Sequence, residues 1–392
     1  MTGKIKELSR YSVKDIEKIS LIEDVLEEYP DEKLYVCSLR NNILDDTSIA
    51  DMDFVELKKE IPPHRFTKFC PKCHKKYPAW ENVCMDCLVH LKNVSDKVKV
   101  SEIEFNPQFA FTATNSLDSF EEIFTDDNLK KINEFDFTHD DYLNVLHAIK
   151  SQAFRNFDEI VKSNKLIFDE LDILEKIIVF VKSFVRVDYK SSGAQLGYFE
   201  NNTIFIDDRQ TRSLQITTLI HELSHFIIQE ILSQTICRIL DTSKNSMIEA
   251  VSAFILSYSP FTQLIDEYCA HNVEGRFTVF GFQDYSSFLQ IQEDLNGEMS
   301  RDEVEITKSI GNTFALSIKE ILESLIDSQL REDIKDQFLD DVVDRPNYMA
   351  LRMENCQILN EIGLVKSLWL ILNDGFEAAS LNIEKLSSYE NK

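Results

Sequence analysis

The chain has 392 residues, 43% of them apolar and 10% aromatic, which supports about two or three ordinary hydrophobic cores and excludes a mainly disordered chain. Its 42 basic residues face 68 acidic ones, and a formal charge of −26 disfavours broad nucleic-acid or anionic-membrane binding, because the whole-molecule field repels phosphate. Only nine glycines and eight prolines, against abundant Leu, Ile, Glu and Lys, point to a mainly α (α+β) fold.

The first ten residues, MTGKIKELSR, lack the apolar core of a secretion signal, and no apolar run reaches membrane-spanning length. A cytoplasmic protein with no membrane association is expected. Residues 1–62 form an N-terminal helical region, with Val13, Ile16, Ile19, Ile22 and Leu26 at helical steps and one β-like run, Leu34–Cys37. Pro62 and Pro63 end it.

The second unit, 63–95, carries Cys70, Cys73, Cys84 and Cys87. Two Cys-x-x-Cys turns supply four thiolates, the closed tetrahedral shell of a structural zinc. The array resembles a zinc ribbon, although the glycine that such ribbons often carry after each cysteine pair is replaced by His74 and Leu88. So small a unit has little core, and metal binding would contribute most of its stability. It is expected to act as a folding staple or as a platform for a protein partner; Lys68, Lys72, Lys75 and Lys76 are the basic residues that would favour nucleic acid. The remaining cysteines, Cys37, Cys237, Cys269 and Cys356, sit in apolar or helical contexts and read as reduced thiols.

Residues 96–184 form a helical linker or subdomain. It opens with a loop-like stretch whose Phe105, Phe109 and Phe111 are expected to pack, and continues with helical periodicity through Leu143–Phe154 and Ile173–Val181. From 185 to 300 the pattern changes. Val185–Tyr189 and Thr203–Asp207 read as strands around Gly193, Gly197 and the Asn201–Asn202 turn, and a helix starts near Thr211 or Ser213. That helix carries His221-Glu222-Leu-Ser-His225. Two histidines four apart project from one side of a helix and can hold one ion, while Glu222, rotated by about 100°, stands beside the metal as a base.

A catalytic zinc then needs one more protein ligand and an open position. Glu249 is the favoured candidate, as the only charge in Ser246–Leu256, where an unpaired carboxylate would be costly without a cation. Glu267 is the rival, four residues before His271 on a more polar segment. Among Tyr268, His271 and Arg276, His271 is the favoured oxyanion donor. An ion-pair role with Glu267 and Glu274 is the alternative for it.

His221-Glu222-x-x-His225 followed by an Ile-Glu249-Ala helix resembles the gluzincin group of zincin metallopeptidases, over roughly residues 185–275. The resemblance implies a zincin-like domain with a small sheet and a zinc site of two histidines and one glutamate. Its activity would be hydrolysis of a peptide or protein substrate by a zinc-activated water, with Glu222 as general base. The Glu-Tyr-x-Ala pattern at Glu267 resembles the third-ligand helix of another branch of that clan. Two zinc ions per chain, one catalytic and one structural, are therefore expected. The alternative is a non-catalytic regulatory or interaction protein that binds a protein or nucleic-acid partner through the ribbon. Residues 301–392 form a C-terminal helical region, with segments at 304–326, 334–343 and 349–372 and a tail from Ser387 expected to fray.

Overall fold

The structure is a computed structural model that describes residues 34–39, 52–57, 66–70, 76–78, 82–93, 100–111, 113–190, 196–278, 286–295, 297, 299–341 and 358–390. The expected helix at 13–26, Cys73 and Cys356 lie outside the described residues. Strands β1 (Leu34–Leu39) and β2 (Met52–Leu57) pair antiparallel, with Leu34 opposite Leu57 and Leu39 opposite Met52. The described part of the region expected to be helical is thus a β ladder, and the partner strand of Leu34–Leu39 carries no strict alternation that would mark it.

In the cysteine-bearing unit, β3 (Phe66–Phe69) lies between β4 (Lys76–Pro78) and the later β7 (Lys92–Asn93). Strands β5 (Val83–Cys84) and β6 (Val89–His90) form a separate hairpin. The helical body begins with α1 (Phe120–Ile123), α2 (Asp126–Glu134), α3 (His139–Ser163) and α4 (Ile173–Lys182). Each start has a local cause: Ser119, Thr125, Thr138 and Asp172 accept the backbone N–H three residues on, and Thr138/Asp141 and Asp172/Glu175 close reciprocal capping boxes.

Next comes a three-stranded sheet of β8 (Arg186–Tyr189), β9 (Gly197–Glu200) and β10 (Thr203–Ile206), in the order β8-β10-β9. Strand β10 is parallel to β8 and antiparallel to β9. Asn201 and Asn202 both take left-handed backbone angles (φ 54° and 51°), as a two-residue hairpin turn matching strand twist requires. The expected strands at 185 and 203 are present; Gly197, read as part of a turn, instead opens β9. A Cβ there would come within 2.4 Å of Thr218 Cγ2 and 2.7 Å of Phe205 O, so glycine lets this strand lie directly on the next helix.

That helix, α5 (Arg212–Leu240), is buried on nearly all sides, which explains its apolar residues in every direction. It is followed by α6 (Ser246–Ser257), α7 (Pro260–Glu274), α8 (Ser286–Asp294), α9 (Arg301–Glu323), α10 (Ser328–Asp341), α11 (Glu361–Ser380) and α12 (Ile383–Glu390). Helix α7 packs against both α5 and α9. At Gly311 of α9 an added Cβ would stand 2.8 Å from Ile265 O, so glycine sets how closely α9 presses on α7.

One continuous apolar core runs from Val100 and Ile103 to Leu386, so residues 100–111 and the C-terminal helices pack with α5. Phe109 bridges these parts, with its ring 5.9 Å from Phe184 and 5.6 Å from Phe226. The tail expected to fray is helical up to Glu390. Tyr389 Oη lies 2.8 Å from Ser257 Oγ, which ties α12 to α6.

Candidate functional site

The i,i+4 spacing on α5 points both histidines at α7, where the imidazole Nε2 atoms of His221 and His225 are 3.2 Å apart. Helix α7 brings Glu267 to them. Its Oε2 is 3.6 Å from His221 Nε2, and its Oε1 is 3.9 Å from His225 Nε2. These three residues form one group of mutually close ligand atoms. Zinc bonds of about 2.0–2.2 Å to imidazole and carboxylate put neighbouring corners of a tetrahedron roughly 3.3–3.6 Å apart, so the triangle has zinc dimensions within a few tenths of an ångström.

The other face of each ring carries a carboxylate. Asp266 Oδ1 lies 2.9 Å from His225 Nδ1, and Glu274 Oε2 lies 3.3 Å from His221 Nδ1. A carboxylate at Nδ1 favours the proton there and leaves Nε2 with its lone pair, the form in which imidazole binds metal. Two such lone pairs 3.2 Å apart, with a carboxylate beside them, repel unless a cation or a proton lies between them. The donor set therefore fits a metal ion. Burial alone would pull both imidazoles down, but Glu267 and Glu274 raise His221 well above its ordinary value, and Asp266 and Glu267 raise His225 to about 9. Against its own burial, Glu267 is held well below the usual carboxylate range by the same histidines and by Ser287.

Glu222 is buried at 9% exposure on the neighbouring face of α5. Its burial pushes the carboxyl up, and the charges of His221 and His225 pull it back in part. A carboxyl lifted in this way is suited to taking a proton near neutrality.

His271, expected as an oxyanion donor, is 4% exposed and lies behind Glu267. Its ring is 4.5 Å from that of His221, and its Nε2 is 2.6 Å from Ser287 Oγ, which donates to Glu267 Oε2 at 2.6 Å. Because that hydroxyl gives its one proton to Glu267, it accepts from His271 Nε2, and a relay from His271 through Ser287 orients the Glu267 carboxylate. His271 Nδ1 stands 3.4 Å from Glu274 Oε2. His221, His271 and Glu274 thus form a second close group behind the first, and burial together with the neighbouring His221 holds the His271 imidazole below its ordinary value.

Glu249, the favoured third ligand, is not brought to the histidines. Its Oε1 is 2.8 Å from Lys244 Nζ, and Asn202 Nδ2 donates to its Oε2 at 2.9 Å. Lys244 also holds Glu230 at 2.5 Å. An ammonium five residues earlier meets the charge of Glu249, and the carboxylate that joins the two histidines in one close group is that of the rival Glu267. The polarity of 266–274 suggested exposure, whereas Tyr268–Glu274 is buried. Asp266 and Ser287 escaped the reading of the sequence, which named Glu274 only as an ion-pair partner of His271. For Glu274 a signal exists: Glu267, His271 and Glu274 recur at i, i+4 and i+7, along one face of the helix.

In the cysteine-bearing unit, Cys70, Cys84 and Cys87 bring their sulfurs together as a metal-sized group, with Cys70 and Cys84 fully buried. Tyr77 Oη donates to Cys84 Sγ at 3.0 Å. The turn closes through Leu88 N–H to Cys84 O at 2.7 Å, with Leu88 in the left-handed region (φ 53°), the position where the expected glycine is missing. Cys237 and Cys269 are buried reduced thiols whose burial raises them. No helix among the described residues is long and apolar enough to cross a membrane. No family model matches the chain, and neither a curated protein nor a solved structure matches it.

Proposed function

We propose that the protein is a zinc-dependent metallopeptidase whose catalytic ion is held by His221, His225 and Glu267, with Glu222 as general base. The observation that carries this reading is the convergence of Glu267 on the two Nε2 atoms while Asp266 and Glu274 stand at the two Nδ1 atoms. A bound zinc would supply a Lewis acid that polarises the substrate carbonyl and acidifies water. Glu222 takes the proton from the attacking water and delivers it to the leaving amine as the peptide bond breaks. Asp266, Glu274 and the His271–Ser287 pair hold the ligands in orientation. A gluzincin-like site with α7 in place of α6 as the third-ligand helix describes this arrangement, and Cys70, Cys84 and Cys87, with Cys73 by its spacing, make a structural zinc ribbon.

The test combines elemental analysis with cleavage of a quenched peptide library by the full-length protein. Wild type is expected to carry about two zinc ions and His221→Ala about one. Glu222→Gln should keep its zinc and lose cleavage by at least about 100-fold, within the range that proton transfer by a positioned side chain contributes. Full zinc content in His221→Ala, or wild-type cleavage by Glu222→Gln, would overturn the proposal.

A further inference from the structure

The arrangement that removes Glu249 from the metal places it in a cavity. A space of about 520 Å³ lies between the β9–β10 turn, α5, α6 and α12, lined among others by Glu200, Asn201, Asn202, Gln229, Glu249 and Tyr389. Gln229 ties this cavity to the metal centre. It lies four residues beyond His225, about 6 Å along the helix, and seven beyond Glu222, nearly the same angular position two turns further on. The cavity thus opens on the flank of α5 that carries the general base.

Its chemistry is anionic and preorganised. Glu230 and Lys244 are almost wholly buried beneath Glu249, so two carboxylates share one ammonium, and the excess negative charge is presented by Glu249, whose side chain is 27% exposed. Lys244 and Asn202 each hold one of its oxygens, which fixes the carboxylate while leaving further lone pairs. The exposed Glu200 adds a second carboxylate on the rim, and the Asn201–Asn202 turn supplies amide groups. The volume suits a side chain with a long aliphatic stem, and Ala250, Ala253 and Phe199 give that stem apolar surface.

Resting on the proposed peptidase reading, we propose that this cavity is the subsite for a lysine or arginine side chain of the peptide substrate, with Glu249 and Glu200 as its specificity-determining residues. Extended peptide advances about 3.3 Å per residue, so across roughly 10 Å of α5 the basic residue falls within about three positions of the cleaved bond.

The test uses full-length protein in two arms. In the first, the Glu222→Gln variant is titrated by fluorescence anisotropy with N-acetylated, otherwise uncharged peptides carrying one lysine, arginine or ε-acetyl-lysine. A second set of the same peptides has a free amino terminus. The lysine and arginine peptides should bind about tenfold or more tighter than the acetyl-lysine peptide, the size expected of a charge-assisted contact. Adding Glu249→Gln or Glu200→Gln should cut that ratio severalfold, whereas Glu134→Gln, on α2 and not among the residues lining the cavity, should keep it and so account for non-specific attraction to a −26 protein. Glu200 is exposed, so its variant tests the subsite without threatening the fold.

In the second arm, wild-type cleavage sites in a denatured protein mixture should show Lys or Arg enriched at one fixed position, and Glu249→Gln should erase the enrichment. Equal binding of lysine and acetyl-lysine peptides, a preference that follows the free amino terminus, or a ratio untouched in both Glu variants overturns the subsite. Cleavage without a basic preference overturns the subsite alone. A preserved binding ratio with no cleavage by wild type overturns the peptidase reading alone.

Discussion

Glu267→Gln and Glu249→Gln separate the two possible third ligands by zinc affinity. In Glu267→Gln the shape is kept, but the anionic oxygen that stands 3.6 Å from His221 Nε2 becomes part of a neutral amide. A lower bound comes from groups one shell further out. Removing a carboxylate behind a ligating histidine, as Asp266→Asn does at His225 Nδ1, weakens metal binding about 10–100-fold, or roughly 1.4–2.7 kcal/mol. Loss of a direct, charged ligand should exceed that, so Glu267→Gln is expected to weaken binding at the histidine site by more than about 100-fold. Glu249→Gln, whose carboxylate belongs to Lys244 and Asn202, should change it by less than about threefold. The assay is competition with a chromophoric chelator on the full-length protein, with the ion of the cysteine site as internal standard. If Glu249→Gln releases the ion and Glu267→Gln keeps it, the assignment of the site to α5 and α7 is wrong.

Two further outcomes follow from charges and backbone away from the metal. Lys244→Met leaves the buried Glu230 without its cation, and should cost about 3–5 kcal/mol in urea unfolding at pH 7. Burial already raises Glu230, so the folded variant takes up a proton more readily than the unfolded chain; the deficit should shrink as pH falls from 7 towards 5, and a deficit independent of pH would count against this account. Leu88→Gly relieves a left-handed residue worth about 1–2 kcal/mol, offset by about 0.5–1 kcal/mol of glycine entropy, and gives up little packing at 78% exposure. It should slow chelator extraction of zinc from the cysteine site, and faster extraction would refute the reasoning.

What could be read from the sequence was whatever a helix or a turn encodes within a few residues. His221 and His225 face one way because of helical period alone, and Asn201–Asn202 makes a hairpin because both residues tolerate the left-handed region. Which carboxylate meets the two histidines depends instead on which helix packs against α5, and neighbouring residues do not encode that. Glu249 sits among apolar residues because α6 is a core helix, and its charge is met by Lys244 across the turn between α5 and α6. The polar stretch Asp266–Glu274 looked like a solvated face because its charges lie at helical spacing. Those charges point inward at His221 and His225, and only the packing of α7 on α5 reveals it. Strand β9 was missed for a similar reason: four residues opening on glycine become a strand when Gly197 lets the backbone approach Thr218.

Helices α6 and α7 answer the same problem, buried carboxylates facing α5, in different ways. At α6 a counter-charge is covalently present: Lys244 pairs with the buried Glu230 of α5 and with Glu249, which leaves one excess negative charge at the partly exposed Glu249. On α7 the carboxylates Asp266, Glu267 and Glu274, with Glu267 also accepting from the Ser287 hydroxyl, lie against the imidazoles of His221, His225 and His271. These cannot all be neutral metal ligands and also supply the positive charge that so many buried carboxylates demand. A divalent cation would resolve the conflict, because it would supply two charges and leave His221 and His225 neutral with their protons on Nδ1. On the proposed reading, the contact between α5 and α7 is the part of the fold whose stability would be tied to the metal. The contact between α5 and α6, which walls the cavity of Glu249, stands without it. This division would let the proposed recognition pocket keep its shape whether or not the neighbouring centre is loaded.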